Sequence, residues 1–193
     1  MGIPDVQPPA ADPSPVGRRS VLRLGLAAGA SLLLPRAVSA AVSPAADRML
    51  SFVNVHTGER VEARFWSAGA YDPAALAAID HLLRDHRTGE VKAVDRDLLG
   101  LLVDLRRELG TEEPFHVISG YRSPRTNAML VARSGGGVAR HSLHLEARAI
   151  DLRLPGVRLG TLREAALDLR RGGVGFYPDL GFVHVDTGRV RRW

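Results

Sequence analysis

Seven histidines and no cysteine confine metal-binding or nucleophilic chemistry in this 193-residue chain to imidazole, carboxylate and hydroxyl groups. His141, His144 and His184 stand beside carboxylates in polar segments that adjoin strand-like runs, whereas His56 reads as part of a hairpin turn, His81 and His86 as helical and His116 as part of a strand. On a helix, His144 and Asp151 would share a face but stand about 10 Å apart along the axis, too far to hold one ion at about 2 Å from each. A loop that folds His144 back over a strand avoids this. In Ala149–Leu154 the pleat sends Ile150, Leu152 and Leu154 to the core and Asp151 to the opposite face. The same alternation in Phe182–Asp186 buries Val183 and Val185 and points His184 and Asp186 to one polar face. If the two strands are neighbours, His144, Asp151 and His184 converge. An N, N, O donor set with an open fourth position is that of catalytic zinc, which acidifies a water to a pKa of about 7. The other reading of the same spacing is ordinary surface groups on edge strands.

The frame for these residues follows from the patterning. Leu50–Val55 and Arg60–Trp66 are β-rich runs around His56-Thr57-Gly58-Glu59, a hairpin turn. Asp72 caps a helix with Pro73 in its first turn and an apolar stripe of Leu76, Ile79, Leu82 and Leu83, and Thr88-Gly89 ends it. A second helix, Asp95 to Leu109, is leucine-rich enough to back a sheet and stops at Gly110. Phe115–Ser119 is a strand, Ser123-Pro124 opens a helix to Arg133, and Ser134-Gly135-Gly136-Gly137 is a loop. Thr161-Leu162-Arg163-Glu164 reads as a capping box for a helix to Arg171 that Gly172-Gly173 closes, and Phe182–Asp186 is the last clear strand. The expected fold is α+β, helices packed on a small, mostly antiparallel sheet, in one domain over 48–193.

The first forty residues read differently. Residues 1–17 are rich in proline and small residues; Arg18-Arg19 then precede an apolar run from Leu24 to Leu34 and the small-residue site Val38-Ser39-Ala40. These are the parts of a twin-arginine export signal, with 41–47 as a linker. The run is too short to span a membrane, which takes roughly 20 residues. The formal charge of +5 invites a nucleic-acid partner, but 25 of the 26 basic residues are scattered arginines, and removing four Arg and two Asp with residues 1–40 lowers it to +3. Nucleic-acid binding is set aside on this ground, with no aromatic-basic motif to support it.

The segment Ser142-Leu143-His144-Leu145-Glu146-Ala147-Arg148-Ala149-Ile150-Asp151 resembles the S-x-H-x-x-G-x-A-x-D signature of the zinc peptidases that include D-alanyl-D-alanine dipeptidases and carboxypeptidases, phage endolysins and the hedgehog signalling domain. The hairpin turn at His56–Glu59, the run Ser119–Pro124, and Gly173–Pro178 followed by Phe182–Gly188 are most similar to the murein endopeptidase K branch. The resemblance runs from about residue 48 to Trp193. It implies a hedgehog/D-Ala-D-Ala-peptidase-like fold, Zn2+ held by His144, Asp151 and His184, and an Arg122 that binds a substrate carboxylate or steadies an oxyanion. Ser142 is implied to shape the loop, not to attack.

Two positions depart from the signature. Ala147 stands where it has Gly, so the backbone there has negative φ or the loop is altered. Where many relatives have a general base two or three residues before the last ligand, this chain has Phe182 and Gly181. Asp186 is the favoured base; it is also a candidate orienter of His184, and Asp179 and His141 are the other acid-base candidates. The expectation is a zinc metallopeptidase exported to the periplasm or the outer face of the cell envelope, with peptidoglycan as its partner, hydrolysing amide bonds of stem peptides or cross-links with zinc-bound hydroxide as nucleophile. The rival is a wall-binding module of the same fold without turnover.

Overall fold

A computed structural model describes residues 46–135 and 137–193. The segment expected to be an export signal and most of the expected linker lie outside the described residues, as does Gly136 of the glycine loop. Among the described residues, eight strands form one sheet: β1 (Arg48–Asn54), β2 (Arg60–Ser67), β3 (Ala70–Tyr71), β4 (Phe115–Ser119), β5 (Ala149–Arg153), β6 (Gly173–Tyr177), β7 (Phe182–Asp186) and β8 (Arg191–Arg192). Their order is β3-β2-β1-β4-β5-β7-β6-β8. The helices are α1 (Pro73–Leu82), α2 (Arg96–Leu109), α3 (Pro124–Arg133) and α4 (Leu159–Asp168).

The α+β class stands, but the sheet is larger than expected and mixed, because β1 runs parallel to β4 and β6 parallel to β8. The β1–β4 pairing needs a crossover, which the long segment carrying α1 and α2 supplies. Three strands escape the period-2 pattern for identifiable reasons. β3 and β8 have two residues each, and β6 begins Gly-Val-Gly, which reads as a helix stop rather than a strand.

α2 buries Leu98, Leu99, Leu101, Leu102 and Leu105 against the sheet and α4, and its Gly110 cap adopts φ 60°. Phe52, Phe65, Phe115, Ile150 and Leu152 meet it from the strands; each fully buried side chain of this size contributes roughly 1.5–3 kcal/mol. α1 ends at Leu82, well before Thr88-Gly89, although Asp72 caps it as expected through bonds from the amides of Ala74 and Ala75. Beyond the helix Asp85 turns inward, and its carboxylate accepts from the amides of Arg87 and Ser123. His86 therefore lies in a turn, its ring stacked 4.0 Å from that of His56. The supposed capping box is also displaced. α4 starts at Leu159 with Arg158 as its cap and no side-chain cap bond, which leaves Thr161 inside the first turn.

Candidate metal centre

Three elements deliver the donors. Asp151 on β5 lies opposite His184 on β7 in antiparallel register. His144 sits in a 3-10 turn, Leu143–Glu146, that packs over β5. Ser142 starts that turn, its Oγ accepting from the His144 amide, and Ala147 ends it at φ 55°. The negative φ considered for Ala147 is thus not what the chain adopts: alanine occupies the left-handed conformation that glycine takes readily, and the turn still closes through bonds from Ala147 N–H to the His144 carbonyl and from Arg148 N–H to the Leu143 carbonyl.

His144 Nε2 stands 3.2 Å from His184 Nδ1 and 3.3 Å from Asp151 Oδ1, and His184 Nδ1 stands 2.8 Å from the same oxygen. The far nitrogen of each ring faces a fixed acceptor. His144 Nδ1 lies 2.7 Å from the Gly120 carbonyl and His184 Nε2 lies 3.0 Å from Asp186 Oδ2. The Gly120 carbonyl only accepts, so in the neutral His144 ring Nδ1 carries the proton; His184 has a carboxylate at each ring nitrogen, Asp151 at Nδ1 and Asp186 at Nε2. His144 Nε2, His184 Nδ1 and Asp151 Oδ1 converge in a buried place, and with the His184 proton on Nε2, toward Asp186, they present three lone pairs to one another, an arrangement that a cation stabilises. Two donors held tetrahedrally at about 2.0–2.1 Å from zinc are about 3.3 Å apart, which two of the three separations match. These residues fit a zinc ion. Burial opposes a charge on His184, and Asp151 and Asp186 overcome it, so the ring's pKa is raised.

Asp186 is fully buried. Its oxygens accept five bonds: from the amides of Gly173 and Gly188, from both terminal nitrogens of Arg191, and from His184. Burial raises its pKa, but these bonds prevail and hold it well below the usual carboxylate range.

Arg122 follows β4, and its amide donates to the His144 carbonyl. Nη2 lies 3.7 Å from Asp151 Oδ2 and Nη1 donates to Asn127 Oδ1, while Nε is buried without a partner. Burial pushes the guanidinium's pKa down and Asp151 opposes this. Arg122, His141, Tyr177, Phe182 and Trp193 line, with the three donors, a cavity of about 480 Å³. His141 is exposed there; Asp179 lies exposed on a 3-10 turn, Pro178–Leu180, and is not part of the lining.

The family described as Peptidoglycan L,D-endopeptidase MepK matches residues 42–193. The chain belongs to the MepK family. It is 43% identical over 176 residues to the Peptidoglycan L,D-endopeptidase MepK of Escherichia coli K12, covering 91% of this chain and 96% of that one. The Probable peptidoglycan L,D-endopeptidase MepK of Haemophilus influenzae is 44% identical over 170 residues, covering 88% and 90%. No solved structure matches the chain. Membership of the MepK peptidases bears out the likeness read from the sequence motifs. Those motifs did not point to Asn127, which steadies Arg122, or to Arg191 and Trp193 at the cavity. The alternating glycines of β6 were the available signal for the last two.

Proposed function

We propose that this chain is an exported, zinc-dependent endopeptidase that hydrolyses L,D amide bonds in peptidoglycan cross-links. The observation that carries the reading is the convergence of three ligand atoms, His144 Nε2, Asp151 Oδ1 and His184 Nδ1, in one cavity with Arg122. Zinc bound there supplies a Lewis acid for an amide carbonyl and acidifies water at neutral pH. Arg122 lines the cavity and engages a carboxylate of the stem peptide or the developing oxyanion. Asp186 keeps the proton on His184 Nε2 and so keeps Nδ1 a donor; with five bonds to its oxygens it serves by orientation, in preference to the base role the sequence favoured. The L,D preference rests on the names of the relatives, and periplasmic action on the segment Arg18 to Ala40.

One observation favours the rival, a wall-binding module without turnover: Phe182 and Gly181 stand where many relatives carry a base. Incubating the zinc-loaded protein with cross-linked muropeptide dimers of defined L,D or D,D linkage, with mass spectrometric readout, separates the two. The expected result is conversion of L,D-linked dimers to monomers, lost in His144→Ala. Intact dimers with zinc fully loaded refute the enzyme in favour of the binding module.

A further inference from the structure

The Gly-Val-Gly of β6 has a use beyond ending a helix. In the parallel ladder, Gly173 pairs with Arg191 and Val174 with Arg192. Trp193 extends the ladder, its N–H donating to the Val174 carbonyl and its carbonyl accepting from Phe176 N–H. A Cβ on Gly173 would stand 2.3 Å from Arg191 Nη1 and 2.5 Å from Asp186 Oδ2, and one on Gly175 would stand 2.7 to 2.8 Å from indole atoms of Trp193. Alternate residues point to one face of a strand, so two positions on one face of β6 are left bare and two side chains from the next strand cross them.

What they reach is β7. Arg191 donates from Nη1 to Asp186 Oδ1 at 3.0 Å and from Nη2 to Oδ2 at 2.7 Å, a two-pronged grip that fixes the plane of the carboxylate. That plane sets the direction of the bond from His184 Nε2, and hence where Nδ1 points. The Trp193 ring lies 4.8 Å from the guanidinium and 5.2 Å from the His184 ring, and its Nε1 donates to Tyr177 Oη at 2.7 Å. The indole is therefore tied down on one side and supports Arg191 on the other.

We propose that β8 and Trp193 brace the metal centre from outside: Arg191 is a positioning residue that aims His184 through Asp186, and Trp193 holds Arg191 in place. The proposal rests on the zinc reading of the three donors. The test is a titration of the metal-free protein with Zn2+ in competition with a chromophoric chelator, with the melting curve of each metal-free variant as the control for folding. Wild type binding Zn2+ and His144→Ala losing it establishes the site itself; no binding by wild type ends the zinc reading and the brace together. Given that site, Arg191→Ala is expected to weaken Zn2+ binding about ten- to hundredfold. Arg191→Lys, with charge but no fork, recovers part of the loss. Trp193→Ala weakens binding less than Arg191→Ala, and Trp193→Phe restores it. Wild-type affinity in Arg191→Ala and Arg191→Lys overturns the proposal, and if Arg191→Ala does not fold, Arg191→Lys decides alone. Wild-type affinity in Trp193→Ala removes the indole from the brace.

Discussion

Ala147 carries a conformational cost next to a candidate metal ligand, His144. For an L-residue with a Cβ the left-handed region costs roughly 1–2 kcal/mol, and Ala147 is buried at φ 55° directly after the turn that holds His144. Glycine removes that strain but loses a buried methyl and adds freedom to the unfolded chain, each about 0.5–1 kcal/mol, so the terms nearly cancel. Ala147→Gly is expected to change stability by less than about 1 kcal/mol in denaturant unfolding, whereas Ala147→Val, β-branched at positive φ, is expected to lose about 2 kcal/mol or more. Equal stability of the two variants would show that the residue does not adopt the left-handed region. At this scale the sequence was readable where side chains alternate: His184 and Asp186 share a face because a strand has period two. It was silent on Asn127 and Arg191, whose importance depends on partners that only the folded chain brings near.

Among the elements, the segment after α1 does more than connect. Asp85 is 2% exposed, and its carboxylate fixes Ser123 N–H at 2.9 Å and so sets the head of α3, beside the loop that carries Arg122. Burial works against its charge, yet bonds from Thr126 and Ser123 hold its pKa far below the ordinary carboxylate value. A depressed native pKa means stability that is present above the unfolded pKa, about 3.9, and is lost as pH falls toward the native one. Acid unfolding of the wild type is therefore expected to steepen below about pH 4, and Asp85→Ala to flatten that dependence while costing about 1–3 kcal/mol at neutral pH, the penalty of an unpaired buried amide. Unfolding followed from pH 7 to 2 in both proteins checks this; identical slopes would remove Asp85 as the source. Periodicity placed α2 and β4 in the sequence because their burial is one-sided, and β7 because its apolar and polar residues alternate although both kinds are buried. It missed the early end of α1, since Leu83 continues the apolar stripe as the cap residue, and it missed β6, whose glycines carry no hydropathy signal.

For the whole molecule, the sheet divides the work: β1 and β2 with α1 and α2 supply much of the core, while β4 to β8 and the loops between them carry the donors, Arg122 and the brace. The parallel β1–β4 pairing joins residues 52–54 to 115–117, a separation that local patterning does not reveal. No helix among the described residues is long and apolar enough to cross a membrane. Fusing residues 1–45 to a reporter is expected to export it, and Arg18-Arg19→Lys-Lys to retain it in the cytoplasm; cytoplasmic retention of the intact segment would refute the twin-arginine assignment. Both rims of the sheet are two-residue strands, β3 at one side and the two arginines of β8 at the other. Unpaired amides and carbonyls along a long flat rim template the addition of a strand from another chain, and short or charged rims discourage it. The same β8 that grips Asp186 thereby leaves the sheet a short margin on that side, with Arg192 exposed and charged, and both properties disfavour pairing with another chain there.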